Sequence, residues 1–253
     1  MYILAIANNK GGVGKTTAAQ NIGAAIENFS DKKTLMVDLD PQGNLSNSFG
    51  VHLKPGDFHV GHFLLGKVSL KDIVKTYKQT KIDILPASMD LIKHEDNLKS
   101  YSAYPFTLKS LLAENKSYYD FVVIDCPPAL GTLTTLGLVA CNLYYIPIQP
   151  EYFSYQGLKN FIHYVKEIHT INPSIKLGGV FANRFNPYSK KNYSKNIIEA
   201  VRDQLQTKFL KNYIRENITI TEAQAKGEHI FDYDIKSNAA KDYYALTREI
   251  FGQ

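Results

Sequence analysis

Short runs rich in apolar residues recur along the chain at 2–7, 35–37, 82–85, 121–124, 143–148 and 178–182. Between them, the stretches 16–27, 105–113, 133–140, 153–168, 191–206 and 238–251 repeat apolar residues at intervals of three and four. Apolar runs of this length suit strands buried on both faces, and the longer spacing marks one face of a helix. The alternation predicts an α/β architecture of three layers, a mostly parallel twisted sheet covered by helices on both faces. Ligands of such sheets sit beyond the carboxyl ends of the strands. The most distinctive polar motifs follow the first, second and fourth of these runs.

No repeat, low-complexity tract or linker interrupts the pattern. Pro55-Gly56 and Asn186-Pro187-Tyr188 read as loops, and residues 1–253 are expected to form a single domain with no separate DNA-reading module. Apolar content of 44% and charged content of 21% are ordinary for a globular protein. No apolar run approaches the roughly 18 residues that cross a bilayer. The opening MYILAIA has no basic leader and runs into a glycine-rich loop, so it reads as a first strand and not a signal peptide. With only Cys126 and Cys141, a disulfide framework is excluded, and a cytoplasmic location is expected.

After the first strand comes ANNKGGVGKTT, residues 7–17. Gly11, Gly12 and Gly14 let the backbone turn and approach a phosphate, with Val13 between them, and the first N–H groups of the following helix point at the anion. In this pattern Lys15 supplies charge to the β/γ-phosphates, Thr16 is placed to ligate Mg²⁺, and Val13 and Thr17 are expected among the nucleotide-binding residues of the loop. The spacing predicts a nucleotide and Mg²⁺ site. Lys10 precedes the glycines, so its side chain need not enter the same pocket, and it is positioned to reach a neighbouring subunit's nucleotide. Such a reach would make dimerisation depend on ATP.

The string KGGVGKTT, with its early lysine, resembles the deviant Walker motif of the ParA/MinD group of P-loop ATPases. That resemblance implies a P-loop NTPase fold and an ATP sandwich dimer in which Lys10 acts across the interface; Asn9 in place of the usual first glycine is normal for the group. VDLDPQGN follows the second run, and a carboxylate there can hold a metal-bound water or orient the attacking one. It resembles the family's switch I, which implies that Asp40 activates water, near the metal, with Asp38 in support. FVVIDCPPALG has the form of a Walker B strand ending in Asp125, expected to hold Mg²⁺ through water. Its D-C-P-P is similar to partition ATPases of the ParA/Soj type, whereas MinD-type proteins usually carry D-S-P-A. ILPASMDL, YYIPIQPEYFSYQGL and ITEAQAKGEHIFDYDIKSNAAKDYYALTREI follow the same family pattern in order. The resemblance implies that Asn183 in VFANRF contacts adenine; by itself it reads equally as a loop asparagine.

The net charge of +5 is concentrated. Between Arg184 and Arg215 stand eight basic residues against two acidic ones, leaving the rest near neutral. This favours a phosphate-rich partner, although a solvated lysine-rich helix face has the same signature. The expected DNA-binding residues are Lys190, Lys191, Lys195, Arg202, Lys211 and Arg215. RENITITEA departs from the arginine-bearing family pattern by placing Glu216 and Thr219 at usually basic positions. The resemblance implies an ATP-bound homodimer on non-specific DNA, slow basal hydrolysis, stimulation by a ParB-like centromere-binding protein, and association with the nucleoid.

Other readings have weaker support. A MinD-like positioning ATPase would need an amphipathic basic C-terminal helix, and DYYALTREIFGQ ends as the last helix ends, so no membrane partner is expected. An iron–sulfur reductase would need both cysteines at a subunit junction, and a tyrosine kinase would need a richer tail than Tyr243-Tyr244. TKID, 80–83, matches a guanine-reading pattern but precedes the Asp125 strand, so it reads as chance. His59 and His62 lack a third ligand nearby in sequence and read as surface or core fillers.

Overall fold

The computed structural model describes residues 1–151, 154–188 and 192–252. Seven strands form one sheet: β1 Tyr2–Ile6, β2 Thr34–Asp38, β3 Lys75–Thr76, β4 Ile82–Leu85, β5 Phe121–Asp125, β6 Leu143–Ile148 and β7 Lys176–Ala182. Their order is β3-β4-β2-β5-β1-β6-β7, and all neighbours are parallel except the short β3 against β4.

The apolar runs are nearly continuous because the sheet is covered twice. Ile3 and Ala5, Leu35 and Val37, Val122 and Ile124 enter one core cluster, whereas Leu4, Ile6, Met36 and Val123 enter the other. Successive side chains of a strand point to opposite faces, so a strand between two helical layers must be apolar at every position. On one side the helices Lys15–Ser30 and Asn238–Ile250 supply Ile22, Ile26, Tyr243 and Leu246. On the other, Thr107–Glu114, Thr132–Ala140, Ser154–Ile171 and Asn192–Leu205 supply Leu108, Leu136, Phe161 and Val201.

Elements that the apolar pattern does not announce are short or nearly coreless. The edge strand β3 is two exposed residues. Helix Leu91–Lys99 buries only Leu91 and Leu98, and Ile218–Ala225 buries only Ala223 and reads ITITEAQA, with β-branched alternation that mimics a strand. Helices Asn44–Ser48, Val60–Leu64, Leu70–Ile73 and Ile230–Asp234 are single turns held by their surroundings.

Candidate nucleotide site

Three strands deliver the motifs to one edge. In register, Ile6 pairs with Asp125 and Asp38 pairs with Asp125, so the loop after β1 and the carboxylates ending β2 and β5 are neighbours. β1 is also where the order turns, since β2 lies to one side of it and β6 to the other. In the glycine loop, Gly12 and Gly14 take φ of +75° and +86°. A Cβ on Gly14 would lie 2.1 Å from the Asn183 amide nitrogen, so this position needs glycine for conformation and for space. Asn183 Nδ2 donates to the Val13 carbonyl at 2.7 Å, and Gln149 Nε2 donates to the Gly12 carbonyl at 2.8 Å. These side chains hold the loop from behind.

Lys15 is buried, and its ammonium donates to the Lys10 carbonyl at 3.0 Å, curling the loop around it. Burial pushes its pKa down, while the Asp125 and Asp40 carboxylates pull it back up. The Lys10 ammonium instead turns outward to an ion pair with exposed Glu151. The two ammonium groups therefore point into different surroundings.

Asp125 is fully buried, and neither carboxylate oxygen has a well-formed hydrogen bond. Burial and the Asp38 carboxylate raise its pKa well above the usual range, opposed by the Thr16 hydroxyl and Lys15. An acid left so in a polar edge is short of a cation, which is the condition a bound Mg²⁺ satisfies. Asp38 has the opposite character. Its oxygens accept from Ser46 Oγ at 2.7 Å, Ser46 N at 2.9 Å and Asp40 N at 3.1 Å. Burial still pushes it up to about 6. It braces the following loop, while half-buried Asp40 faces the cleft and caps its own turn through Gln42 N.

The cleft over the loop measures about 680 Å³, a size suited to a nucleotide. Gly11, Gly12, Gly14, Lys15, Thr16, Thr17 and Asp40 line it. Sequence reading missed its far wall of Gln42, Asn47, Gln224 and Lys226. Gln224 Nε2 donates to Thr17 Oγ1 at 3.2 Å, so helix Ile218–Ala225 leans over the phosphate loop. The family-like stretch ITEAQAKGEH was its only signal.

A family model described as an AAA domain matches residues 1–177. The chromosome-partitioning ATPase Soj of Treponema pallidum is 37% identical over 98% of this chain and 96% of its own. The sporulation initiation inhibitor protein Soj of Bacillus subtilis is 33% identical over 98% and 97%. The chain belongs to the ParA/Soj family of ATPases. A solved Mycobacterium smegmatis structure, described as cobyrinic acid a,c-diamide synthase with bound ATP analogue and magnesium, is 30% identical over 99% of this chain and 94% of that one, with a TM-score of 0.86.

Among the described residues, the basic positions of this ParA/Soj family member have different surroundings. Lys190 and Lys191 lie outside the described residues. Lys195 and Arg202, seven apart on helix Asn192–Leu205, share a face, half-buried and exposed respectively, and the Arg202 guanidinium lies 5.3 Å from the Phe209 ring centre. Lys211 is exposed. Arg215 is set apart: its Nε and Nη2 grip Asp242 at 2.9 and 2.6 Å, and it lines a second cleft with Gly14, Thr17 and Asn183. Both ends of Asn183 are held by backbone, since its Oδ1 also accepts from Arg184 N at 3.0 Å.

Asp83 of TKID sits in the amino-terminal half of β4, bonded to Thr76 and Tyr119 and away from the cleft. Cys126 and Cys141 are both buried, which leaves no pair of thiols at the surface for a shared cluster. Tyr243 is a core residue. His59 and His62 do acquire a third imidazole, His94, which the sequence reading did not foresee because it lies more than thirty positions away.

Proposed function

We propose that this chain is an ATP-dependent DNA-partitioning ATPase working as a single domain, with ATP as substrate and Mg²⁺ as cofactor. The observation that carries the reading is the buried Asp125, neither oxygen in a well-formed hydrogen bond, beside Thr16 and Lys15 at the mouth of a glycine loop. Thr16 and Asp125 would hold the ion, which when bound neutralises charge on the transferred phosphoryl group. Lys15 exchanges the Lys10 carbonyl for phosphate oxygens, and the loop N–H groups add to its field. Asp40, on a turn braced through Asp38, orients the attacking water near the metal. Lys10 leaves Glu151 to act on the nucleotide of a second copy. Asn183 contacts adenine from the adjoining cleft after releasing one of its backbone partners.

The ATP-bound homodimer would hold non-specific DNA through phosphate contacts from Lys190, Lys191, Lys195, Arg202 and Lys211. A ParB-like centromere-bound protein would trigger hydrolysis and release, in cytoplasm and on the nucleoid. The apolar face of helix Asn238–Ile250 is occupied within the fold and so unavailable to a membrane surface, which supports DNA as the partner. Ala239, Ala240, Tyr243 and Leu246 bury this face against the rest of the fold, and no helix among the described residues is long and apolar enough to cross a membrane. Retention on DNA, measured against salt with ATP, with ADP and without nucleotide, tests the proposal. Salt-sensitive retention confined to ATP is expected, and equal retention in all three conditions would refute the switch.

A further inference from the structure

A separate cluster is drawn from the segments on either side of β4. His59 caps helix Val60–Leu64, His62 belongs to that helix, and His94 comes from Leu91–Lys99, which packs against it. The ring centres of His59 and His62 are 4.4 Å apart, those of His62 and His94 4.8 Å, and those of His59 and His94 5.0 Å. One ligand nitrogen from each ring lies within 4.8 Å of the other two. Gly61 makes this approach possible, because a Cβ there would come within 2.9 Å of His59 Cε1 and 3.1 Å of His94 Cγ.

Plain ring packing would account for the distances but not for the polar atoms. His59 is 1% exposed, and its Nε2 is buried with no partner. A nitrogen stranded in this way calls for an explanation. His94 Nδ1 donates to the Asp90 carbonyl at 3.0 Å, which fixes its tautomer and leaves the Nε2 lone pair free, as the outer partners of metal-bound histidines do. His62 and His94 are half-buried, leaving a route to solvent.

We propose that His59, His62 and His94 form a three-imidazole site for a divalent first-row transition ion of the zinc type. Neutral nitrogen donors suit this class, and three protein ligands leave a fourth position for water. At metal–nitrogen distances of about 2.0–2.1 Å, tetrahedral ligands stand about 3.3 Å apart. The rings must close further, by rotation of the two half-buried ones. The Nδ1 atoms of His59 and His62 accept long bonds from Gly61 N and His59 N, at 3.2 and 3.3 Å. On ligation through Nε2 each ring's proton resides on Nδ1, and metal–nitrogen bonds replace those contacts. The ion would staple two helices of the segment that follows the acidic loop. That segment is tied to the loop through Val60 N to the Pro86 carbonyl and Ala87 N to Ser46 Oγ. None of the three histidines lines the nucleotide cleft.

The test uses the full chain without a histidine tag, stripped with chelator and titrated with Co²⁺ and then Zn²⁺. One equivalent of Co²⁺ should give a visible ligand-field band that Zn²⁺ abolishes, and Zn²⁺ should raise the melting temperature. His94→Gln and His62→Gln should each weaken Co²⁺ binding at least about tenfold. ATP binding by each variant, measured alongside, reports that it is folded. Substoichiometric Co²⁺ without a visible band, or undiminished affinity in either folded variant, would overturn the site.

Discussion

At the residue scale the two lysines of one loop have separable effects. Lys15→Ala removes a charge-assisted partner of the phosphates worth about 1.5–3 kcal/mol, so ATP affinity should fall roughly tenfold to a hundredfold in a fluorescent-nucleotide titration. Lys10→Ala should keep monomer binding yet stay monomeric with ATP by light scattering; normal dimers would refute its role across the interface. Asp40→Ala should leave ATP-bound, DNA-retained dimers with hydrolysis abolished in a phosphate-release assay. His229 offers an independent check on the fold. It is fully buried, caps helix Ile230–Asp234 through Nδ1, and has Asp232, Lys78 and Glu228 around it. Burial pushes its pKa down to about 4 from 6.5. The unfolded chain therefore binds the extra proton first, and the stability this group confers is present above pH 6.5 and lost as pH falls towards 4. The loss amounts to about 3 kcal/mol at most. His229→Asn keeps a capping side chain, so its stability gap from the parent should narrow between pH 7 and pH 4.5 in urea unfolding. A constant gap would contradict the burial argument.

At the element scale, strands and long helices were legible because each buries a regular apolar face, whereas the pieces that finish the site do not. Helix Ile218–Ala225 leans over the phosphate loop with one buried residue, and no periodicity can announce that. Its placement comes from contacts at the far end of the chain, such as Gln224 to Thr17. The charge window likewise says nothing of a tertiary tie made by one of its members. It places Arg215 among DNA contacts, but the guanidinium joins its loop to helix Asn238–Ile250 through Asp242, whose side chain is only 11% exposed. After solvent screening that pair is worth about 1 kcal/mol. Arg215→Ala should lower the melting temperature by about 2–4 °C and leave ATP-dependent DNA retention unchanged; a large loss of retention would return Arg215 to the DNA surface.

At the scale of the whole molecule, the proposed switch depends on two copies presenting their basic faces together, because each phosphate neutralised steepens the salt dependence by about 0.9 in log–log slope. Replacing Lys195, Arg202 and Lys211 by Glu should abolish ATP-dependent retention while sparing ATP binding in the same preparation, and unchanged retention would exclude this face. The sequence by itself determined the buried parallel sheet, the loop that ends β1 and the carboxylates ending β2 and β5. These depend on local order, apolar runs followed at once by polar motifs. Only the tertiary structure decided which charges face one another. Register put Asp38 and Asp125 side by side, the first held by Ser46 donors and the second with neither oxygen in a well-formed hydrogen bond. Helix packing brought His94 to His59 and His62, and chain closure turned Arg215 onto Asp242. Such pairings join residues far apart in the chain, and spacing along a sequence has no term for that distance.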